Sequence, residues 1–138
     1  MIIPIIALIM SSQGVSILPA DAMKRAEFID AQPKVLQEYV VDHFTDTPIL
    51  ADIARCESRF RHFDRDGNVI RGEVNRGDVG VMQINEFYHS DRAEMLGFDL
   101  HTLEGNIAYA KYLYEKEGTR PWDSSSRCWK ATSHIAKK

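Results

Sequence analysis

Apolar side chains recur at intervals of three and four residues along four stretches of the chain, which places them on one face of an α-helix. The predicted helices cover residues 33–44, 48–60, 86–95 and 104–118. An earlier amphipathic stretch begins at Ala26 and is expected to be interrupted at Pro33, because proline has no amide hydrogen to donate inside a helix.

Residues at the ends of these stretches support the predicted boundaries. Thr47 followed by Pro48 suits a helix start, with threonine as the N-cap and proline at the first helical position. Gly97 is the predicted C-cap of the third helix. Thr102 is the predicted N-cap of the fourth helix, and Gly118 ends it.

The segment between the second and third helices has a different pattern. Asp66-Gly67 is typical of a tight hairpin turn. Further glycines separate short runs of strand-forming residues, at Gly72, Gly77 and Gly80. We expect two or three short strands here, and therefore an α+β fold that is mostly helical.

The first 22 residues suggest export. MIIPIIALIM is apolar apart from one proline, but a helix needs roughly 20 apolar residues to span a bilayer. The run suits the core of a signal peptide with Ala20-Asp21-Ala22 as its cleavage site, although no Lys or Arg precedes it. We therefore expect an export segment over residues 1–22 and one domain over residues 23–138. A truncated gene start or a buried N-terminal strand is the alternative.

Composition narrows the classes of function. A chain of 138 residues suits a single domain. Its net charge of −3 and pI near 5.9 lack the basic excess of a nucleic-acid-binding protein. The histidines show no paired spacing for zinc, and no phosphate-binding glycine loop is present, so no metal or cofactor is expected.

Cys56 and Cys128 are the two cysteines, and they stand far apart in the sequence. Export to an oxidising compartment would favour a disulfide between them. Closing so long a loop is worth about 4 kcal/mol if the whole effect is loss of chain entropy. Two separate buried thiols in a reducing cell are the alternative.

Glu57, in the stretch ARCESRF, is the first candidate for chemistry. It follows Ile53 and Ala54 at helical spacing, so it lies on or beside the buried face of the second predicted helix. Burial disfavours a carboxylate, which would raise its pKa and make it a proton donor near neutral pH. The alternative is a partly exposed glutamate paired with a neighbouring arginine.

Asp78 is the second candidate acid. It precedes GVMQIN in a glycine-bounded segment, where a side chain can point into a cleft. Two carboxylates on either side of a glycosidic bond are the usual equipment of glycoside hydrolysis. The sequence alone does not bring Asp78 near Glu57, and its rivals in the same segment are Asp64, Asp66 and Glu73.

Three segments in order carry a family resemblance: ESRF at 57–60, GVMQIN at 80–85 and NIAYAKYLY at 106–114. Together they resemble the lysozyme-like superfamily, and most closely the transglycosylase SLT domains of lytic transglycosylases. The resemblance extends from about Val35 to Trp129. It implies a lysozyme-like fold with a small β-hairpin insert, and a cysteine beside the acid and another late in the chain are similar to the lysozyme arrangement.

The resemblance also implies roles for individual residues. Glu57 matches the catalytic general acid of the family. Asp78, in DVGVMQIN, matches the second catalytic carboxylate of chicken-type lysozymes. Further positions match residues of the sugar-binding cleft, and these substrate-binding candidates are Ser58, Gly80, Met82, Gln83, Asn106 and Tyr109.

The substrate implied by the resemblance is peptidoglycan, cleaved between N-acetylmuramic acid and N-acetylglucosamine. A lytic transglycosylase would leave a 1,6-anhydro end with Glu57 as acid and then base, whereas a lysozyme-type hydrolase would use water, Glu57 and Asp78. A non-catalytic wall-binding module is the alternative from another class. The interpretation implies a monomer that is secreted, periplasmic or in the cell envelope, binds no nucleic acid, and meets a membrane only through an uncleaved N-terminal segment.

Overall fold

The computed structural model describes residues 19–133, which form five α-helices and a two-stranded antiparallel sheet. The helices are α1 (Pro19–His43), α2 (Ile49–Ser58), α3 (Glu86–Met95), α4 (Leu103–Glu117) and α5 (Ser126–Ser133). The strands are β1 (Asp78–Val79) and β2 (Ile84–Asn85), and a 3₁₀ segment, Arg120–Ser125, joins α4 to α5. The predicted α+β fold, mostly helical with a small hairpin, is confirmed.

The predicted export segment lies outside the described residues except for residues 19–22, which begin α1. The expected cleavage site therefore falls in the first turn of this helix. Of the helices formed by residues 19–133, none combines the length and the apolar character needed to cross a membrane. Export through residues 1–22 stays a prediction.

α1 is longer than predicted, because it begins at Pro19 and continues through Pro33. The expected interruption at the proline is wrong. The adjacent Gln32 is buried, and its Oε1 accepts hydrogen bonds from the amides of His62 at 2.6 Å and Phe63 at 2.9 Å. Its Nε2 donates to the Phe63 carbonyl at 3.1 Å. These bonds join α1 to His62 and Phe63, close to the position where proline removes one hydrogen bond of the helix.

α2 starts one residue later than predicted. Pro48 is its N-cap and Ile49 its first helical residue. The hydroxyl of Thr47 lies 3.5 Å from the carboxylate of Asp46 and makes no bond to a helix amide. The predicted threonine cap is therefore wrong, and α2 starts without a side-chain cap.

α2 also ends earlier than predicted, at Ser58 instead of Phe60. Arg59 and Phe60 both have left-handed backbone conformations, with φ of 54° and 58°. Two such residues in succession end a helix, because an α-helix requires negative φ. Phe60 turns into the core, and Glu57 is left in the last turn of α2, beside the chain that enters the hairpin.

α3 and α4 confirm the predicted elements. α3 has the predicted bounds, but its C-cap is Leu96 and not the predicted Gly97, which follows it with φ of 81°. At the start of α4 the hydroxyl of Thr102 accepts from the amide of Gly105 at 3.0 Å. Gly118 ends α4 with φ of 62°. The residues that cap the two ends of α4 were thus predicted from the sequence.

The hairpin is short. β1 and β2 pair with Asp78 opposite Asn85 and Val79 opposite Ile84. An isolated bridge pairs Arg71 with Val79 of β1, and a second one, between Phe63 and Val69, closes a separate turn earlier in the chain. Gly67 has φ of 84°, which agrees with the predicted turn. The register matters for the site, because it sets Asp78 directly across from Asn85.

The apolar core lies between the helices and the inner side of the hairpin. All of the main elements contribute to it, and its largest fully buried apolar side chains are Val40, Phe44, Leu50, Ile53, Val79, Val81, Met82, Ile107 and Tyr109. Trp122 and Trp129 close the core from the C-terminal side. The core therefore joins the 3₁₀ segment and α5 to the rest of the fold.

Cys56 and Cys128 form a disulfide, with an S–S distance of 2.11 Å and a Cα–Cα distance of 6.0 Å. The predicted pairing is confirmed over the alternative of two separate thiols. The bond joins α2 to α5. Because Cys56 precedes Glu57, the cross-link fixes α5 next to the candidate acid.

Candidate active site

A cleft of about 370 Å³ lies where α2, the hairpin, α3, α4 and the 3₁₀ segment meet. It is lined by three of the residues predicted from the sequence, Glu57, Asp78 and Gln83. The rest of its wall is Ile84, Asn85, Tyr88, His89, Leu113, Glu117, Arg120, Pro121, Trp122 and Ser124. The fold thus brings both candidate carboxylates to one cleft.

Glu57 is partly buried because the face of α2 that carries it also carries Ile53 and Ala54 into the core. Burial raises the pKa of its carboxyl above the usual value. A hydrogen bond from Ser125 opposes this rise, and the negative charge of Asp78 adds to it. Glu57 therefore keeps its proton to a higher pH than an exposed glutamate does.

The alternative role for Glu57, a surface ion pair, does not occur within residues 19–133. None of Arg55, Arg59 and Arg61 pairs with its carboxylate there. Arg55 instead contacts the hydroxyl of Thr132 on α5. The structure therefore favours the inward-facing acid.

Asp78 faces the cleft from β1. The side-chain amide of its cross-strand partner, Asn85, donates to Asp78 Oδ1 at 2.9 Å. This bond orients the carboxylate in the cleft. The rival acids lie elsewhere: Asp64 accepts from two turn amides, and Asp66 and Glu73 are exposed outside the cleft wall.

Gln83 has a left-handed backbone conformation, with φ of 49°. Its amide and its side-chain Nε2 both donate to the carbonyl of Gly80, at 3.1 Å and 2.9 Å. The two bonds fix the turn between β1 and β2. They also hold the Gln83 side chain on the cleft wall, where the resemblance predicts a substrate-binding group.

The other predicted substrate-binding residues do not line the cleft: Ser58, Gly80, Met82, Asn106 and Tyr109. They are buried behind its wall. The structure therefore places them as supports of the wall, and a direct contact of any of them with substrate stays a prediction.

Asn106 is the centre of this support. Its Nδ2 donates to the carbonyls of Val79 at 3.0 Å and Leu100 at 2.9 Å, and its Oδ1 accepts from the amide of Met82 at 3.0 Å. Gly80 has φ of +75°, and a Cβ there would lie 2.4 Å from Asn106 Nδ2. Only glycine therefore allows the turn to approach Asn106 so closely.

Tyr109 and Ser58 support the wall in other ways. The Tyr109 hydroxyl lies 3.0 Å from Nδ1 of His89, which does line the cleft. The Ser58 hydroxyl donates to the Ala54 carbonyl at 3.0 Å and accepts from the Arg61 amide at 3.3 Å. The first contact orients a wall residue, and the second stabilises the end of α2 that carries the acid.

His62 also supports the turn between β1 and β2. Its ring is fully buried, and Nδ1 accepts from the Val81 amide at 3.1 Å. Since an amide can only donate, the ring proton lies on Nε2, which donates to the His101 carbonyl at 2.9 Å. Burial lowers the pKa of His62, against the effects of the His101 carbonyl and of the Glu104 and Asp99 carboxylates.

We expect the contribution of His62 to the free energy of unfolding to fall as the pH drops below about 6.5, the usual pKa of histidine. The unfolded chain binds a proton at His62 more readily than the folded one, so stability is present above the unfolded pKa and is lost toward the folded pKa. Urea unfolding between pH 4 and 8 measures this. His62→Gln keeps an acceptor for Val81 but cannot titrate, and an equally steep pH dependence in this variant would contradict the prediction.

The sequence did not predict several wall residues, and Ser125 behind the wall is the most important of them. Its hydroxyl lies 2.5 Å from Glu57 Oε1. It is one of three consecutive serines, with nothing local to distinguish it. The predicted disulfide could have indicated it. Cys56 adjoins Glu57 and Cys128 lies about one helical turn after Ser125, so a bond between the cysteines brings Ser125 close to Glu57.

The cleft is equipped for acid–base chemistry. Glu57 can donate a proton, and Asp78 can present negative charge to a cationic centre. Among residues 19–133, no group of three or more histidine, cysteine, aspartate or glutamate side chains is arranged to hold a metal ion.

Comparison of the chain with protein-family models, with curated proteins and with solved structures gives no match. Its own fold and cleft are therefore what indicate its class. These define a mostly helical α+β protein with a partly buried carboxylic acid in an open, largely polar cleft.

Proposed function

We propose that the protein is a peptidoglycan-cleaving enzyme with a lysozyme-like fold, acting as a lytic transglycosylase on the bond between N-acetylmuramic acid and N-acetylglucosamine. The observation that carries the proposal is the Glu57 carboxyl, which is partly buried in an open cleft and has a raised pKa. The resemblance of ESRF, GVMQIN and NIAYAKYLY to transglycosylase SLT domains supports this substrate class.

The arrangement of elements supports the lysozyme-like fold. A hairpin is inserted between α2 and α3, and the acid stands at the end of α2 that leads into this hairpin. The second carboxylate faces the same cleft from β1, and α4 carries the asparagine that supports the turn. Acid, hairpin and supporting helix follow one another in the order that the family resemblance predicts.

In the first chemical step, protonated Glu57 donates its proton to the glycosidic oxygen. The bond to the muramic acid carbon breaks as this carbon takes on oxocarbenium character, and the leaving sugar departs as an alcohol. Glu57 becomes a carboxylate in the same step. A raised pKa suits this role, because the acid must still hold its proton near neutral pH.

In the second step, the Glu57 carboxylate takes the proton of the muramic acid 6-hydroxyl while that oxygen closes on the same carbon. The product is a 1,6-anhydro end, no water is consumed, and Glu57 returns to its acid form. One residue thus serves as acid and then as base, and the step needs only that the 6-hydroxyl reaches both the carbon and Glu57.

Lysozyme-type hydrolysis is the second candidate, and the position of Asp78 favours it. The carboxylate lines the same cleft as Glu57 and is oriented by Asn85. It could stabilise or attack the cationic carbon, with water as the final acceptor. The two reactions share the first proton transfer and differ in what reacts with the carbon afterwards.

The disulfide supports an extracytoplasmic location, where peptidoglycan is found. Bonds such as Cys56–Cys128 form and persist in oxidising compartments and are rare in the cytosol. Secretion, or residence in the periplasm or cell envelope, is therefore the location we propose.

Digestion of purified peptidoglycan followed by mass spectrometry of the muropeptides tests the proposal. We expect soluble products at the mass of 1,6-anhydro ends. Products heavier by one water would support hydrolysis and give Asp78 its role. Protein that sediments with peptidoglycan but releases no fragments would contradict the enzyme and indicate a wall-binding module.

A further inference from the structure

The Ser125 hydroxyl lies between two acceptors. Its Oγ is 2.5 Å from Glu57 Oε1 and 3.1 Å from the Trp122 carbonyl oxygen. A serine hydroxyl has one proton and can donate it to one acceptor at a time. The two contacts therefore describe two alternative orientations of one donor.

The Trp122 carbonyl is a fixed acceptor. The backbone of Trp122 departs from helical geometry, with φ of −113° and ψ of 21°. Its indole Nε1 donates to the Met82 carbonyl at 2.9 Å, and its own carbonyl also accepts from Trp129 Nε1 at 3.0 Å. The residue is almost fully buried, so its carbonyl stays in place beside Ser125 whatever the state of the acid.

The acid is held next to Ser125 independently of this hydrogen bond. The disulfide between Cys56 and Cys128 joins the residue before Glu57 to the helical turn that follows Ser125. Removal of the hydroxyl would therefore leave α2 and the 3₁₀ segment together. The effect of the hydroxyl on Glu57 can be measured without losing the site.

We propose that Ser125 is a positioning residue that serves Glu57 in both of its proton states, by turning its one hydroxyl proton between the Trp122 carbonyl and the Glu57 carboxyl. The inference rests on the proposed function, in which Glu57 is the acid and then the base. The proton of Ser125 stays on its own oxygen throughout, so the residue takes no part in bond making or breaking.

The energetic reason is the difference between neutral and charged acceptors. While Glu57 is protonated, its Oε1 and the Trp122 carbonyl are both neutral acceptors and compete for the hydroxyl. When the proton leaves for the glycosidic oxygen, Oε1 becomes part of a carboxylate, and a hydrogen bond to an ionised group is roughly twice as strong as a neutral one. The added stabilisation thus arises as the proton leaves, which lowers the barrier rather than the ground state.

The test compares Ser125→Ala with the wild-type protein in two measurements. The first is titration of the Glu57 carboxyl by ¹³C NMR without substrate, and we expect its pKa to rise in the variant because the carboxylate loses its donor. The second is the pH–rate profile on peptidoglycan. We expect the alkaline limb to move to higher pH and the maximal rate to fall about tenfold, as for loss of a hydrogen bond to a charged group.

Ser125→Thr and Ser125→Val repeat the comparison at equal size, since only threonine keeps the hydroxyl. We expect threonine to restore the wild-type titration and valine to match alanine. Ser126→Ala removes a neighbouring hydroxyl outside the cleft wall and is the matched control, with both measurements unchanged.

An unshifted Glu57 titration in Ser125→Ala and Ser125→Val would overturn the inference. This outcome is distinct from failure of the proposed function, because the titration needs no substrate. A shifted titration in a protein that cleaves no peptidoglycan would support the role of Ser125 toward Glu57 and contradict the enzyme.

Discussion

Glu57→Gln is expected to lower the rate of peptidoglycan cleavage by about 10²- to 10⁴-fold, the usual contribution of a general acid. Glutamine has nearly the same shape and can still accept a hydrogen bond from Ser125 through its amide oxygen. It has no acidic proton for the glycosidic oxygen and cannot act as a base afterwards. Release of soluble muropeptides from purified peptidoglycan measures the loss.

The same substitution is expected to leave the protein as stable at neutral pH, or more stable. The folded-state pKa of Glu57 is raised, so the folded chain holds this proton more tightly than the unfolded chain. Its contribution to stability is therefore present at low pH and is lost as the pH rises through the folded pKa. Glutamine removes this loss, and urea unfolding at neutral pH checks it.

Glu73→Gln is the matched control for Glu57. It makes the same chemical change at an exposed acid of the same region, outside the cleft wall. We expect full activity. Cleavage that survives Glu57→Gln, or that is lost in Glu73→Gln, would show that the acid has been assigned to the wrong residue.

Replacing both Cys56 and Cys128 with serine is expected to lower the free energy of unfolding by about 4 kcal/mol. The disulfide closes a loop with a sequence separation of 72, and the unfolded chain gains conformational freedom when that loop opens. A single domain of this size has a total stability of roughly 5–15 kcal/mol, so the loss is a large part of the total. The urea midpoint of the double variant measures it.

The double variant is also expected to lose activity, because the disulfide holds Ser125 against Glu57. A reducing agent should destabilise the wild-type protein to the same extent and leave the double variant unchanged, which separates loss of the bond from loss of the sulfur atoms. Equal midpoints for the oxidised wild-type protein and the double variant would contradict this account.

Much of the fold could be predicted from the sequence because the signals were local. The capping residue Thr102 and the terminal Gly118 act within one helical turn of themselves, and α4 matched its prediction. The continuation of α1 through Pro33 could not be predicted in this way. It is supported by Gln32, whose hydrogen-bond partners lie about 30 residues away in the sequence.

The candidate site also contains some residues whose positions could be predicted from the sequence and others whose positions could not. Glu57, Asp78 and Gln83 were predicted, and all three line the cleft. Asn106 was predicted to bind substrate, but its side chain forms its hydrogen bonds with buried backbone groups. A family motif includes residues that line the cleft and residues that are buried behind its wall. Sequence does not distinguish the two kinds, because the difference depends on how the helices and strands pack. Ser125 lies in none of the three family motifs. It reaches Glu57 because the disulfide joins α5, which follows Ser125, to α2, which carries the acid.

During synthesis the chain leaves the ribosome from its N-terminus, so Glu57 and Asp78 emerge before the segment that completes their cleft. Arg120, Trp122 and Ser125 emerge after them, and the disulfide that joins α5 to α2 can form only once Cys128 has also emerged. A nascent chain therefore carries both carboxylates without a finished cleft around them. For the peptidoglycan-cleaving enzyme proposed above, this order means that the cleft can close around both carboxylates only after the segment that carries Cys128 has left the ribosome.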